Sequence, residues 1–390
     1  MNEKKRYIRQ PAGSFFLFGP RGTGKSTWLR HYFADALWVN LLDPDVHRKL
    51  AAQPERLEAL LEGNPDQRII VIDEVQKVPE LLTVVHKYIE LQKGYRFILT
   101  GSSSRKLKRS GVDLLAGRAA VSFSHPFMAC ELGNAFSLED ALLLGTIPLI
   151  LDAQEPLETL AGYVMLYVRE EVMAEGLVRD IGGFSRFLEA ISFSHAGLLN
   201  IAEVSRECEV SRKTVEGYVS VLEDMLLGAR LPVFSRRAKR GLIKQAKFYF
   251  SDCGVFRSLR PQGPLDRREE IDGGALEGLV YQHLKAWVDY SSAKNGLFFW
   301  RTQAGTEVDF VIYGASAFCA LEVKNSAKVS RRDVKGLKAF REDYPESQVV
   351  LLYRGKDRLQ IDGVLCLPCA AFLRALIPDQ PIIAPKQDTG

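Results

Sequence analysis

The stretch 15–33 reads FFLFGPRGTGKSTWLRHYF and holds Gly19, Gly24, Lys25 and Ser26 in the order Gly-x-x-x-x-Gly-Lys-Ser. Glycines let a backbone turn sharply and come close to a ligand, so such a loop aims its N–H groups at a polyphosphate. A helix opening at the lysine adds a positive dipole end. Lysine then reaches the β- and γ-phosphates, and the serine hydroxyl binds Mg²⁺. Gly19, Pro20, Arg21, Gly22, Thr23, Gly24, Lys25, Ser26 and Thr27 form the expected nucleotide-binding set. In RIIVIDEVQKVP (68–79), Asp73 and Glu74 follow four apolar residues. Asp73 is placed to hold Mg²⁺ through its water shell, and Glu74 to polarise an attacking water. YRFILTGSSSRKL (95–107) ends a third apolar run in small hydroxyls, from which Thr100 or Ser102 can sense a γ-phosphate. Arg118, in LLAGRAA, is a candidate finger for a neighbouring subunit's γ-phosphate, with Arg105 and Arg109 as competitors.

A second group of chemistry-bearing residues lies in EVDFVIYGASAFCALEVKNS (307–326). Two apolar runs flank a small turn, as in a hairpin, yet Glu307, Asp309, Glu322 and Lys324 interrupt them. Alternation of strand side chains places Glu307, Asp309 and Val311 on one face, and sets Leu321 and Val323 opposite to Glu322 and Lys324. Asp309 then faces Glu322 and Lys324 across the hairpin. Two carboxylates can hold Mg²⁺ through oxygen ligands and water, and a neighbouring lysine can stabilise charge on a phosphate. Glu277, on a preceding helix, can add a third carboxylate, and Gln303 can support the site. The plain alternative is a solvated charged face.

The elements that must position these residues follow from pattern. Strand, loop and helix succeed one another at 15–33, and Ile69–Ile72 reads as a buried central strand; acids at the end of a parallel strand lie where such sheets bind ligands. Residues 133–195 have helical spacing and fit a lid over the nucleotide, with Arg169 expected on its surface, where it could reach the nucleotide, and Tyr163 and Tyr167 in its core. At 200–234 a short helix, a turn through Cys208 to Val210 and a second helix N-capped by Ser211 have helix-turn-helix spacing, with Val204, Val215, Val219 and Leu222 as core. Two strands around a basic turn then read as a wing. Between Arg230 and Lys247 stand seven Lys or Arg and no acid, a composition suited to phosphate backbones. Arg212, Lys213, Arg236, Arg237, Lys239, Arg240 and Lys244 are the expected DNA contacts. Residues 273–291 form an amphipathic helix with Leu276, Leu279, Val280, His283, Leu284 and Trp287 on one side.

The Gly-x-x-x-x-Gly-Lys-Ser, DEVQ-K-P, TGSS and LAGR segments resemble the AAA-type P-loop ATPases, and look closest to the DUF4143 family. That resemblance covers most of the chain and implies ATP binding and oligomeric rings. Glu277, Asp309 and Glu322-Val-Lys324 resemble the PD-(D/E)XK nuclease superfamily over about 265–375, with Val308-Asp309 where that family has Pro-Asp. The expected fold is α/β multidomain: a P-loop AAA-type ATPase core (1–132), a helical lid (133–195), a winged helix-turn-helix (196–262) and a restriction-endonuclease-like α/β domain (263–390).

Composition agrees with that division. At roughly 100–200 residues per domain, 390 residues make two to four domains. The hydrophobic share, 46%, is enough for each to bury a core. A net charge of +4 names no partner by itself. No apolar run nears the roughly 18 residues a membrane span needs, and no apolar signal core follows the charged start, so a cytoplasmic protein with no membrane partner is expected. The six cysteines are scattered, and Cys366-x-x-Cys369 has no second pair beside it, so buried apolar cysteine is expected. The leading functional expectation is an oligomeric Mg²⁺-dependent ATPase that binds and remodels DNA. The alternatives are an ATP-gated Mg²⁺-dependent nuclease and an ATP-driven protein-assembly or signalling module.

Overall fold

Apolar residues at consecutive positions suit strands covered on both faces of a parallel sheet. Phe15–Phe18 and Ile69–Asp73 have that pattern and are buried strands in the computed structural model, which describes residues 4–102, 115–168 and 180–383. Arg105, Arg109 and Arg169 lie outside the described residues. The chain forms two compact units, one of Ile8–His125 with Asp224–Leu226 and one of the rest.

The first unit holds β1 (Phe15–Phe18), β2 (Leu37–Asn40), β3 (Ile69–Asp73), β4 (Arg96–Gly101) and β5 (Ala120–Phe123). All pairs are parallel, in the order β2-β3-β4-β1-β5. Phe16, Phe18, Ile70, Ile72, Phe97 and Leu99 pack with Leu81, Leu82 and Val85 of the helix Leu81–Glu90. The strand order is what matters for chemistry. Because β4 lies between β1 and β3, the loop leaving β1, Thr100 in β4 and Asp73 at the end of β3 come out side by side.

In the second unit the segments expected as a lid form short helices, among them Leu138–Leu144, Pro148–Leu151, Pro156–Gly162 and Ile181–Ser192. They are tied to the chain beyond them through buried Asp252. Its carboxylate accepts from Thr146 N (2.8 Å) and caps the helix Cys253–Leu259 through Gly254 N and Val255 N. Helices Ile201–Glu207 and Arg212–Asp224 follow, with Ser211 Oγ accepting from Thr214 N at 3.1 Å, and Val204, Val215, Val219 and Leu222 all buried. A small sheet joins β6 (Gly197–Leu198), which precedes these two helices, with β7 (Gly228–Leu231) and β8 (Lys247–Phe250), which follow them, in the antiparallel order β6-β8-β7.

A mixed sheet ends the chain: β9 (Asn295–Arg301), β10 (Glu307–Gly314), β11 (Phe318–Lys324), β12 (Gln348–Tyr353), β13 (Leu359–Ile361) and β14 (Val364–Pro368), in the order β13-β14-β12-β11-β10-β9. Helix Lys335–Asp343 packs on one side, its Leu337 and Phe340 meeting Val308, Val311 and Ala320. The long helix Arg268–Tyr290 lies against the sheet as well. It is not one-sided as expected: Tyr281, Gln282 and Ala286 are buried along with the expected face, because the Leu138–Leu144 and Cys253–Leu259 helices also pack on it.

The largest departure concerns the expected wing. The segment 232–246 is not a free solvated turn. It runs along the outer edge of β9: Phe234 N donates to Phe299 O (2.6 Å), Phe299 N to Pro232 O (3.1 Å) and Gln303 N to Gly241 O (2.9 Å). An open sheet edge has unpaired backbone groups, and this segment satisfies them. Phe234 also enters the core on that side of the sheet, against Phe340 and Tyr344. Phe234→Ala should therefore cost about 3–5 kcal/mol, read as a lower denaturant midpoint, and should bring early proteolysis within 232–246. Unchanged stability would show that this docking is incidental.

Candidate functional site

Two carboxylate sites are built very differently. In the first unit, Gly24 precedes the helix Lys25–Tyr32 with φ +81°, a left-handed conformation that disfavours a side chain. At Gly19 an added Cβ would lie 2.3 Å from Ser124 O, so only glycine lets β1 lead into this loop. Lys25 Nζ donates to Gly19 O (2.6 Å) and Pro20 O (3.2 Å), which folds the lysine back over the loop it follows. Thr23 is buried and donates to Pro20 O at 2.8 Å.

A chain of hydrogen bonds crosses from this loop to β3 and β4. Ser26 Oγ donates to Asp73 Oδ2 at 2.8 Å. Thr100 Oγ1 donates to Asp73 Oδ1 at 2.5 Å and accepts from Glu74 N at 2.9 Å. Gln76 Nε2 donates to Glu74 Oε2 at 2.5 Å and to Ser102 Oγ at 3.1 Å. Glu74 itself has φ 62°, unusual for a residue with a side chain. Its backbone is held there by Thr100 and its carboxylate by Gln76. The expected Ser26, Asp73, Glu74, Thr100 and Ser102 are thus brought together. Gln76 joins them without having been singled out; its only sequence signal was its place in DEVQ. Arg118 is exposed and ion-paired with Glu90.

The second unit gathers Glu277, Glu307 and Asp309 around one atom. Lys247 Nζ lies 2.9 Å from Glu277 Oε1, 2.5 Å from Glu307 Oε1 and 3.3 Å from Asp309 Oδ1, and the lysine side chain is 3% exposed. Tyr249 Oη donates to Glu277 Oε1 at 2.6 Å, and Arg301 Nη1 to Glu307 Oε2 at 2.8 Å. Asp309 Oδ2 accepts from Val323 N at 2.8 Å. Lys324 Nζ donates to Glu322 Oε1 at 2.7 Å, while the buried Glu322 Oε2 has no hydrogen-bond partner among the described residues. Burial first, then the Asp309 charge, pushes the Glu277 carboxyl up to about 7 against the opposing Lys247, and burial and Asp309 hold Glu322 well above the usual carboxylate range. Lys247 is raised by the carboxylates around it, which outweigh its burial.

The strand alternation expected here needs correcting at Val311. The β9–β10 register shifts between Val308 and Val311, so both valines enter the same core, and Val311 does not share the face of Asp309. A bulge places two residues opposite one and moves the later side chains to the other face. Phe310, beside Asp309, packs toward Tyr249 and Tyr281. Gln303 is exposed and is held through its backbone to Gly241, away from the carboxylates' hydrogen bonds. Among the described residues no three His, Cys, Asp or Glu side chains are arranged to hold a metal ion as they stand, with Lys247 Nζ at the centre of Glu277, Glu307 and Asp309.

Of the seven basic residues from Arg230 to Lys247, three are engaged by carboxylates. Arg230 pairs with Glu216 and Glu223, Arg240 with Glu342 and Asp343, and Lys247 with the cluster. Arg236, Arg237, Lys239 and Lys244 are exposed, as are Arg212 and Lys213, and Arg236 stacks over Tyr313 at 4.9 Å. All six cysteines are free thiols, and Cys366 and Cys369 are buried.

Family models match three successive regions: an AAA domain over residues 12–133, a domain of unknown function (DUF8612) over 135–266, and another (DUF4143) over 272–372. The AAA-plus-DUF4143 architecture anticipated from the motifs is present, and the AAA match supports nucleotide binding and hydrolysis as the general activity. Uncharacterized protein Mb2031c of Mycobacterium bovis and uncharacterized protein Rv2008c of Mycobacterium tuberculosis are each 26% identical over 368 residues, covering 92% of this chain and 80% of theirs. Protein VC1899 from Vibrio cholerae aligns over 94% of this chain and 96% of its own at 10% identity, with a TM-score of 0.22. A type III CRISPR defence DNA nuclease activated by cyclic oligoadenylate aligns over 94% and 50% at 12% identity, with a TM-score of 0.19. Scores this low carry no statement about fold. Among the described residues no helix is long and apolar enough to cross a membrane.

Thr100 joins Asp73 to the Glu74 backbone, so Thr100→Val should leave the Glu74 N–H unbonded and Asp73 Oδ1 with only its 3.1 Å bond from Ser26 Oγ, at a cost of about 1–3 kcal/mol. Thr100→Ser should recover most of that. Equal denaturant midpoints for the valine variant and the parent would mean that the hydroxyl does not tie the two acids.

Proposed function

We propose that the chain is a Mg²⁺-dependent ATP hydrolase, working as a homo-oligomer, whose second unit binds the phosphate backbone of DNA and couples hydrolysis to its remodelling by translocation or branch migration. The observation that carries the enzymatic part is the continuous bonding from Ser26 through Asp73 and Thr100 to Glu74 at the ends of adjacent parallel strands. A serine hydroxyl and a carboxylate are hard oxygen donors, the kind Mg²⁺ takes, so the residues present fit Mg²⁺ with ATP. Bound there, Mg²⁺ neutralises charge on the β- and γ-phosphates. Lys25 leaves the carbonyls of Gly19 and Pro20 for those phosphates, Asp73 and Ser26 hold the ion, and Glu74 orients the attacking water. Thr100 and Ser102 report the γ-phosphate through their bonds to Glu74 and Gln76. Arg118 serves as a finger in trans. Its exposed pair with Glu90 is of a kind worth roughly 0–1 kcal/mol, so release costs little.

The DNA-binding part rests on Arg212, Lys213, Arg236, Arg237, Lys239 and Lys244, which are exposed in the part of the chain read as a winged helix. Arg240 is the weaker member, since two acids engage it. Cutting by the nuclease-like domain is not adopted, because a lysine holds the carboxylates that a metal would need. A protein-assembly role is the second reading. It is favoured by the exposed Leu143, Leu149, Leu157, Met165 and Leu166 in the helices between Leu138 and Val168.

Glu74→Gln should bind ATP as the parent does and lose roughly 10²–10⁴-fold in turnover, and Lys25→Ala should lose binding too. Undiminished turnover in both would refute the enzymatic reading. Reversing Arg236, Arg237 and Lys239 to Glu should weaken binding to forked and four-way DNA and flatten its salt dependence, since each phosphate contact contributes about −0.9 to the slope of log K against log salt. DNA affinity with no salt dependence, and indifferent to these reversals, would favour the protein-assembly reading.

A further inference from the structure

We infer that Lys247 is the resident cation of the C-terminal carboxylate cluster: its ammonium takes the place of a divalent ion and latches β8 to the helix Arg268–Tyr290 and to β10. The inference goes beyond the ATPase reading and does not depend on it.

An ammonium has three N–H donors, and here three carboxylates, Glu277, Glu307 and Asp309, surround it at 2.5–3.3 Å. The acids come from a helix and a strand, the lysine from a third element that is distant in sequence. Two successive inward positions of β8 serve the cluster, because residues two apart on a strand share a face: Lys247 meets all three acids, and Tyr249 donates to Glu277. The chain just before β8 is pinned along β9, so it carries the lysine to the cluster. An ammonium buried away from water and left unpaired is very costly, as is a carboxylate cluster without a cation. Each half of the latch therefore requires the other, and while β8 stays in place its ammonium fills the position a metal would need. Arg301 neutralises the second oxygen of Glu307, which further lowers the field available to a divalent ion. The residues do not fit a bound Mg²⁺, and the cluster's work is structural.

The test uses the full chain carrying Asp73→Ala, so that the N-terminal carboxylate is no ligand, and measures Mn²⁺ binding without nucleotide by electron paramagnetic resonance. The parent should bind no more Mn²⁺ than its Asp309→Asn derivative. Lys247→Met should gain about one Mn²⁺ per chain, held by oxygen ligands, and lose it again when Asp309→Asn is added. Mn²⁺ bound by the parent and abolished by Asp309→Asn overturns the inference, and so does a folded Lys247→Met that gains none. Should Lys247→Met fail to fold, amine acetylation of the otherwise unsubstituted chain decides. Lys247 should label at least about tenfold more slowly than Lys239 and Lys244, as buried groups do, with or without millimolar Mn²⁺. Labelling of Lys247 that rises on adding Mn²⁺ would show the metal displacing it, and labelling as fast as the exposed lysines would show there is no latch.

Discussion

A buried ammonium cannot be left alone, and that single constraint organises the second unit. Lys247 is nearly sealed from solvent, and at 3% exposure the energy of an unpaired charge there would exceed what a marginally stable fold can absorb. Three carboxylates answer it. Their placement in turn demands the helix that carries Glu277, the bulged strand that carries Glu307 and Asp309, and the segment 232–246 that delivers β8. Phe234 and the Pro232 and Gly241 carbonyls then belong to the same construction, because they hold that segment against β9.

The two acidic sites of this chain illustrate what decides the use of a carboxylate. Asp73 is bonded by two hydroxyls, from Ser26 and Thr100. Hydroxyls bring no net charge, so the acid remains available to a cation from solution. Glu277, Glu307 and Asp309 are bonded by a full positive charge that the protein itself supplies. Residue type is the same in both places. The neighbour's charge, and whether it can leave, make the difference.

Much of this was legible beforehand, where the signal is local. Gly19, Gly24, Lys25 and Ser26 carry their chemistry in spacing along one turn, and Asp73-Glu74 at the end of an apolar run identifies both acids. Ser211 as a helix cap and Val204, Val215, Val219 and Leu222 as core are likewise local, since capping and helical periodicity span only a few residues. Glu277, Asp309 and Glu322 were legible as a group but not as an arrangement. The alternation rule predicts that Val311 shares the face of Asp309, and the bulge between Val308 and Val311 breaks it. Nothing in the one-dimensional pattern marks that extra residue.

The amino-acid sequence by itself determined the glycine-rich loop with Lys25 and Ser26, the two acids that close β3, the paired helices on either side of Ser211, and the identity of the carboxylates that gather late in the chain. All but the carboxylates are encoded by neighbours within a few positions. Tertiary structure alone decided what the basic segment between Arg230 and Lys247 does. As a string it is a basic turn between two strands, read as a wing, and the FYF that follows Lys247 is the hint of burial. Folded, Arg230, Arg240 and Lys247 each find acids, the last of them 30, 60 and 62 positions away. Charge is a property of the residue, but whether it faces water, a phosphate or another side chain depends on which distant element the fold brings to it.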